Sequence, residues 1–483
     1  MSDPVSKIEH MFDDTAVAML VERIGAAALA ENRAAGERLV AIGQLDLLRL
    51  RQVGERETWC TDTQEAVTAE VAAALGISQG LATSYLYYSR VMRTRLPAVG
   101  ALLLAGDIDY RMFQTIVYRT DLITDPELIA AVDAELAAKA ARWPAMTRGR
   151  LGAQVDRIVS RADRDAVRRR RELEAGREFS IWDGGNGLTE VFGRLITTDA
   201  QAVDARLDAL AATVCDADPR TRDQRRADAM GALAVGAERL TCRCRHPQCA
   251  APATRTPSPV VIHVVADQST LDGTAQTPGS MVGSDALIPA DLMVELARSA
   301  KLRPLINPAD TPPETAYIPS QALADFVRCR DLTCRFPGCD KPATRCDLDH
   351  TIPYSDGGPT HASNLKSLCR LHHLIKTFWH WSDQQLPDGT LIWTSPSGQT
   401  YVTTPGSALL FPSLCVPTMM SGPAVSSSAR PPCADRAAMM PKRRRTRAQN
   451  RANYVAAERR RNRASRESSG PPLVVANDEP PPF

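Results

Sequence analysis

The chain has 483 residues, enough for two or three domains, and its 58 Lys and Arg nearly balance its 56 Asp and Glu. The resulting net charge of +2 identifies no class of partner, so the distribution of charge along the chain is more informative than its sum. Aromatic residues make up only 5% of the chain while Ala and Arg are plentiful, so much of it is expected to be helical.

No apolar run reaches the roughly 18 residues that a membrane span needs, so no membrane partner is expected. The chain opens on polar and acidic residues rather than on a basic and then apolar stretch. No signal peptide is therefore predicted, and a cytoplasmic location is expected. In that compartment the twelve cysteines are better interpreted as metal ligands and buried thiols than as disulfides.

Residues 13–240 are predicted to form a helical domain, because apolar residues recur at helical spacing over most of this stretch. Asp62, with Glu65 three residues later, is typical of a helix N-terminus. Gly76 then interrupts the helix, and Ser78 can cap the next one, which extends to Arg95. The spacing is that of a candidate helix-turn-helix.

The second of these helices could contact DNA, because it combines aromatic with basic side chains. The residues concerned are Tyr85, Tyr87, Tyr88, Arg90, Arg93 and Arg95. A plain helical bundle with turns of Gly and Ser explains the same pattern, and both interpretations stay open from the sequence. Further along, two strands at 179–182 and 188–195 are predicted around a glycine-rich turn.

Residues 241–313 are predicted to be a Cys-rich loop followed by a small mixed α/β region, since the run 260–265 has the apolar character of a buried strand. The loop could bind a separate zinc ion through three cysteines and one histidine. These are Cys242, Cys244, His246 and Cys249. Four ligands so close together rarely surround one ion without help from elsewhere, so a surface loop with spare thiols is the alternative.

Residues 314–412 contain the densest group of metal-ligand residues, with five cysteines and five histidines between Arg328 and Trp381. Two pairs within it supply the four ligands of a closed tetrahedral zinc site. The pairs are Cys334 with Cys339, around a tight turn, and Cys369 with His372, at the start of a helix. His372 rather than the adjacent His373 is assigned to zinc, because its spacing from Cys369 is that of an ordinary zinc knuckle.

Between and beside the two pairs lie Asp349-His350, Asn364 and His373, in that order. This arrangement resembles the HNH nuclease family, a short ββα unit built around a metal ion. A purely structural zinc knuckle would need the four zinc ligands but none of these further residues, so the nuclease-type interpretation is favoured.

The resemblance implies a role for each residue. His350 would be the general base, since a neutral imidazole with a pKa of about 6.5 can take a proton from water. Asp349 and His373 would hold a divalent ion such as Mg²⁺ or Mn²⁺, which neutralises charge on the phosphate. Asn364 would hold the loop and the ring of His350 in register.

Residues 413–483 are predicted to be a disordered tail, rich in Pro and Ser at first and then strongly basic. From 442 to 466 the tail has eleven Lys and Arg against one acidic residue, Glu458. Such density favours phosphate binding, although a solvated charge run is the alternative. The candidate nucleic-acid contacts are Arg443, Arg444, Arg445, Arg459, Arg460 and Arg461.

Residues 15–412 as a whole resemble the 13E12 repeat family, in which a long helical N-terminal region precedes an HNH domain. The matching stretches are 82–108, 242–249, 317–319 and 334–373. The predicted fold is therefore mainly α and multidomain: a helical domain, a mixed α/β region, a ββα-metal domain and a disordered basic tail. The resemblance implies a metal-dependent endonuclease acting on nucleic acid, with double-stranded DNA as the expected partner. The alternative is a DNA-binding or regulatory protein whose zinc-stabilised HNH-like domain is structural or inactive.

Overall fold

The computed structural model describes most of the chain: residues 14–143, 146–167, 178–183, 188–195, 197–244, 246, 249, 263–282, 287–298, 300–308, 311–418 and 439–468. A helical N-terminal part, small sheets in the middle and a ββα unit near the C-terminus follow one another along the chain, as predicted. Among the described helices, none combines the length and the apolar character that crossing a bilayer requires.

The N-terminal part is a bundle of helices whose ends follow the sequence signals. Asp62 accepts a hydrogen bond from the backbone N–H of Glu65, which confirms the predicted cap, and Gly76 ends that helix with φ +64°. Ser78 caps the following helix through the N–H of Leu81. The helices are α1 (Asp14–Val53), α2 (Thr63–Leu75), α3 (Gln79–Thr94), α4 (Pro97–Ala105), α5 (Tyr110–Thr120), α6 (Pro126–Ala140) and α7 (Arg148–Ala162).

The aromatic and basic side chains of α3 are used inside the bundle. Arg90 pairs with the buried Asp46 at 2.6 Å, Arg93 donates to the carbonyl oxygen of Gly43 and Arg95 donates to that of Ile123. The tyrosines of α3 pack against the main hydrophobic core. These contacts favour the plain helical bundle over a helix-turn-helix that presents α3 to DNA.

The middle of the chain consists of small units. The predicted hairpin is present as β1 (Glu178–Asp183) paired antiparallel with β2 (Thr189–Arg194). Two helices, α8 (Thr197–Ala211) and α9 (Arg222–Ala234), then pack on each other around Leu207, Leu210 and Ala229. A small sheet with two short helices follows: β3 (Val264–Val265), α10 (Gln268–Leu271), β4 (Gly279–Met281), β5 (Leu287–Ile288) and α11 (Ala290–Ala297). The predicted linker, 252–259, and the first half of the predicted strand, 260–262, lie outside the described residues.

The ββα unit lies between α12 (Gln321–Asp331) and a three-stranded sheet. It consists of β6 (Cys346–His350), β7 (Leu365–Cys369) and α13 (Arg370–Phe378), with β6 and β7 antiparallel. The sheet that follows has the order β10-β9-β8, formed by β8 (Ser382–Gln385), β9 (Leu391–Thr394) and β10 (Thr400–Thr403). Aromatic rings of the unit share a core with small residues of α2, so the unit is packed on the helical bundle.

The basic tail is in large part an ordered helix, so the prediction of disorder for 413–483 is wrong over its described residues. α14 (Arg447–Ser468) lies on the N-terminal bundle, with Val455 buried in the main core. Asn462 donates to the carbonyl oxygens of Asp165 and Val167 at 2.8 and 2.9 Å. The segments 419–438 and 469–483 lie outside the described residues. Arginines of the basic run pair with Asp62 at the N-terminal cap of α2, with Asp121 after α5 and with Asp165 after α7.

Candidate functional site

The candidate site is built on two strands and the helix that follows them. The register of β6 and β7 places Asp349 directly opposite Lys366. Directly opposed residues of a sheet lie on the same face, so the two charged groups meet. α13 begins immediately after Cys369, the last residue of β7, and this holds the helix side chains against the same strands.

The four residues predicted as zinc ligands come together where β7 meets α13. Their ligand atoms all lie within 4.8 Å of one another, and the residues are Cys334, Cys339, Cys369 and His372, here called the α13 cluster. His372 Nδ1 is 3.3 Å from Cys369 Sγ and 3.5 Å from Cys334 Sγ. A tetrahedral zinc ion separates a nitrogen from a sulfur ligand by about 3.5 Å. The α13 cluster can therefore hold a metal ion.

Packing fixes the direction of the His372 ring. Phe336 stacks on it at 4.1 Å between centroids, with 9° between the planes. Nε2 of His372 is buried and has no hydrogen-bond partner within the described part of the chain. Nδ1 is therefore the nitrogen that faces the sulfur atoms. Those of Cys334 and Cys339 are brought there by the turn that includes Gly338 at φ +73°.

Asp349 and His373, predicted to hold a catalytic divalent ion, also meet. His373 Nε2 lies 3.3 Å from Asp349 Oδ1. Two ligands each about 2.1 Å from one ion span that separation at an angle of about 100°. His373 Nδ1 lies 2.9 Å from Asp347 Oδ2, and a carboxylate on the far nitrogen of a ligating histidine fixes its tautomer. This donor set fits a divalent ion.

Two lysines also reach Asp349. The fully buried Lys366 places Nζ 2.7 Å from Asp349 Oδ2 and 2.7 Å from Asp383 Oδ2. Lys376 Nζ lies 2.6 Å from Asp349 Oδ2 and 3.0 Å from Asp383 Oδ1. Burial alone would raise the pKa of Asp349, but the charges of Lys366, Lys376 and His373 outweigh it and hold that pKa below its usual value. The carboxylate is thus ionised and already partly neutralised.

Sequence reasoning missed Lys366 and Asp383. A lysine inside the buried strand β7, between Leu365 and Leu368, was the available signal, because a fully buried lysine requires a partner. Asp383 gave no such signal, since it lies among polar residues of β8. Only the folded chain brings the two together.

His350 is held by a different set of neighbours. Its Nε2 is 3.0 Å from Thr360 Oγ1, and its ring stacks on Tyr317 at 5.3 Å between centroids. Tyr354 lies edge-on to the same ring. Burial lowers the pKa of His350, although the charge of Asp349 opposes the shift, so the imidazole is neutral at neutral pH. Among the described residues, no hydrogen bond joins this ring to Asp349 or His373.

Asn364 closes the loop between β6 and β7. Its Oδ1 accepts from the N–H of Ile352 at 2.8 Å, and its Nδ2 donates to the carbonyl oxygens of Ile352 and Pro359. Gly358 lies so close to Ile352 that an added Cβ would collide with the carbonyl oxygen of that residue. The loop that follows His350 is therefore fixed at both ends.

Of the four residues predicted as a second zinc site, the structure brings three together and adds a cysteine from elsewhere in the chain. Sulfur atoms of four cysteines lie within 4.8 Å of one another, and these are Cys215, Cys242, Cys244 and Cys249, here called the middle cluster. His246 is exposed and is not part of it, so its prediction as a ligand is wrong. Cys215 takes its place from 27 residues before Cys242. No spacing pattern connects this lone cysteine with the loop.

Three of the six arginines predicted to contact nucleic acid have partners in the protein. Arg443 donates to the carbonyl oxygen of Cys60, Arg459 pairs with Asp163 and Arg461 pairs with Glu458. For Arg443 and Arg459 these contacts anchor the tail to the N-terminal bundle, and their assignment as nucleic-acid contacts stays a prediction. Arg444, Arg445 and Arg460 are exposed.

Two family models match the chain with this geometry. A domain of unknown function, DUF222, matches residues 26–331. The HNH endonuclease model matches residues 329–378, the stretch that contains the α13 cluster, Asp349, His350, Asn364 and His373.

Relatives from Mycobacterium tuberculosis extend the likeness over nearly the whole chain. Uncharacterized protein Rv3776 is 42% identical over 456 residues, which cover 89% of this chain and 86% of that protein. Uncharacterized protein Rv2100 is 41% identical over 467 residues, with 85% and 84% covered. An uncharacterized protein in the est 3'region is 37% identical over 352 residues, with 68% and 99% covered. No solved structure matches the chain.

Proposed function

Because this chain belongs to the DUF222 family and contains an HNH endonuclease domain, we propose that it is a metal-dependent endonuclease that hydrolyses phosphodiester bonds of DNA. The observation that carries the proposal is the 3.3 Å distance between Asp349 Oδ1 and His373 Nε2. Asp347 contacts the other ring nitrogen of His373, Nδ1. A structural zinc site does not need this arrangement, whereas a divalent ion that contacts phosphate does.

His350 is the proposed general base. It is neutral at neutral pH because burial lowers its pKa, so it can accept a proton from water. In this proposal Nε2 of His350 donates its hydrogen to Thr360 Oγ1, and Nδ1 is then the nitrogen that takes the proton. Asn364 holds the loop behind the histidine, and Lys376 donates to the carbonyl oxygen of His350 at 2.8 Å, so the strand end is fixed on both sides.

Asp349 and His373 would hold the divalent ion, Mg²⁺ or Mn²⁺. When bound, that ion supplies neutralising charge to the phosphate and the leaving oxygen. Asp347 orients His373, and the lysines keep Asp349 ionised and in place. In the α13 cluster we propose a structural zinc ion, since three thiolates and one imidazole form a donor set that zinc favours.

The proposed substrate is nucleic acid, the partner on which HNH domains act, and double-stranded DNA in particular. Tyr317 stacks on His350 yet is 58% exposed, and Tyr354 beside it is 40% exposed. Aromatic faces beside the base could contact a nucleotide next to the cut. The exposed Arg444, Arg445 and Arg460 are the proposed tail contacts to phosphate.

One observation favours a second function, a DNA-binding or regulatory protein with an inactive HNH domain. Two ammonium groups already lie within 2.7 Å of Asp349 Oδ2. They offset the negative charge of Asp349, which would otherwise attract a divalent ion. If the ion binds weakly, the domain keeps its fold but has no catalytic metal. Divalent-ion affinity is therefore the property that separates the two functions.

Nicking of supercoiled plasmid by the purified full chain in Mg²⁺ or Mn²⁺ tests the proposal. We expect nicking by the wild type and its loss in His350→Ala, Asp349→Asn and His373→Ala. The matched control is His380→Ala, which removes an exposed histidine of the same domain and should nick normally. Zinc content, circular dichroism and an electrophoretic shift with the same DNA establish that each variant is folded and still binds.

Two results decide against the nuclease. Nicking that survives in folded His350→Ala would show that another group is the base. A wild type that shifts DNA but cuts in no divalent ion, and that shows no Mn²⁺ binding by calorimetry, would favour the regulatory function.

A further inference from the structure

We propose that Cys215, Cys242, Cys244 and Cys249 form a second, structural zinc site, outside the HNH domain and independent of its chemistry. The four sulfur atoms lie within 4.8 Å of one another, and those of Cys215 and Cys242 are 3.6 Å apart. Sulfur ligands of one tetrahedral zinc ion are about 3.8 Å apart. Small side-chain rotations therefore convert the cluster into a zinc cage.

The backbone on both sides of the cluster is fixed by a buried ion pair. Arg220 donates to Asp218 at 2.7 Å and to the carbonyl oxygen of Thr241 at 2.7 Å, immediately before Cys242. Asp218 in turn accepts from the N–H of Arg243 at 2.9 Å, immediately after Cys242. The segments that carry Cys215 and Cys242 are thus connected by Asp218 and Arg220, which are not ligands themselves. Residues that surround a metal site commonly hold its ligands in place in this way.

The middle cluster and the α13 cluster have one type of hydrogen bond in common. A backbone N–H donates to a cysteine sulfur in each: His246 to Cys244 at 3.4 Å, and Cys369 to Cys334 at 3.3 Å. Such donation stabilises a thiolate, which is the form that binds metal. His246 thus contributes its backbone while its exposed side chain does not take part.

The unit around the middle cluster has a small hydrophobic core, so a bound metal ion would add substantially to its stability. Among the described residues, the core cluster of α8 and α9 has three buried members, Leu207, Leu210 and Ala229. Phe179, Ile181 and Trp182 of the preceding hairpin are more than half exposed. A core of this size stabilises a unit weakly, and small units commonly depend on a bound metal. Four soft thiolates select zinc over Mg²⁺ or Ca²⁺. With four protein ligands the site is closed, so its role is structural.

Metal content of the full chain, measured by mass spectrometry after purification in reducing buffer, tests the site. We expect two zinc ions per chain in the wild type and one in Cys215→Ser. The controls are Cys60→Ser, which removes an exposed free cysteine, and His246→Ala, which removes the ligand suggested by sequence; both should retain two. A zinc content in Cys215→Ser equal to that of the wild type would overturn the proposal.

A measurement on the wild type alone covers the case in which Cys215→Ser does not fold. Alkylation of the native chain, followed by peptide mass spectrometry, should find all four thiols of the middle cluster protected and then reactive once a chelator removes zinc. Thiols that react equally with and without the chelator would contradict the site. A Cys215–Cys242 disulfide in the reduced preparation would contradict it as well.

Discussion

The α13 cluster and the middle cluster have similar ligands but different surroundings. In the α13 cluster three of the four residues are buried, and the aromatic rings of Phe336, Trp381 and Trp393 pack around them. All four cysteines of the middle cluster are half-buried, and the nearby core is small. A metal ion in the α13 cluster would therefore add to an already large hydrophobic core. In the middle cluster it would provide much of the stability that a small core does not.

The two clusters also differ in what depends on them. Cys369 is at once the end of β7 and the residue before α13, and His373 lies one turn into that helix. The position of His373 against Asp349 is thus tied to the position of Cys369. Cys215 and Cys242 lie on loops beyond α8 and α9, in a unit that provides none of the proposed catalytic residues. Loss of metal should consequently affect activity at the first cluster and local stability at the second.

The largest expected effect is the contrast between Cys369→Ser and Cys215→Ser. Cys369→Ser leaves three ligands in the α13 cluster and frees the start of α13, so His373 no longer meets Asp349 and plasmid nicking should fall below detection. Cys215→Ser should nick within about twofold of the wild type, a change that corresponds to less than about 0.5 kcal/mol in the barrier.

Initial nicking rates in Mn²⁺, with zinc content measured on the same samples, check this contrast. Cys329→Ser serves as the control, since that half-buried thiol belongs to neither cluster. Equal losses in both cluster variants would mean that the middle unit supports the active site, and the separation of the two clusters would be lost.

A second contrast concerns the cores. Phe336→Ala removes the ring that stacks on His372 and contacts both tryptophans, and we expect it to destabilise the ββα unit by about 3–5 kcal/mol. Leu210→Ala, in the smaller core, should cost about 2–3 kcal/mol, confined to α8 and α9. Urea unfolding followed by tryptophan fluorescence checks the first, because Trp381 and Trp393 touch Phe336.

Hydrogen exchange of the α8 and α9 peptides checks the second. If zinc replaces a core in the middle unit, adding a chelator should lower protection there more than Leu210→Ala does. A chelator without effect on these peptides would place the stability of the unit in its side-chain packing instead.

The contrast between the clusters also explains what the sequence could predict. The ligands of the α13 cluster occur as two close pairs, Cys334 with Cys339 and Cys369 with His372, and short spacing leaves few geometries. The cap at Asp62 and the hairpin at β1 and β2 were predictable for the same reason, since each depends on neighbours in sequence. Short spacing along the sequence was therefore enough to predict the ligands of the α13 cluster.

Distant partners could not be predicted. Cys215 joins a loop 27 residues later, and Lys366 is held by Asp383 from another sheet. The tail is the clearest case: its arginines meet acidic residues about 300 positions earlier, such as Asp165 with Arg463. By composition alone a charge run is solvated, whereas the acidic surface of the folded bundle, together with the burial of Val455, holds it as an ordered helix.

The smallest expected effect is a shift in pH dependence, which belongs to the α13 side of the comparison alone. His350 must be neutral to accept a proton, and burial lowers its pKa, so the nicking rate should rise with pH to a plateau, with a midpoint below the pKa of a free imidazole. Tyr317→Ala exposes the ring to water and reduces the effect of burial. The midpoint of the acidic limb should then move upward, with a loss of a few fold near pH 6 and little change at pH 8. Cys215→Ser should follow the wild-type profile, and a downward shift in Tyr317→Ala would mean that burial does not set this pKa.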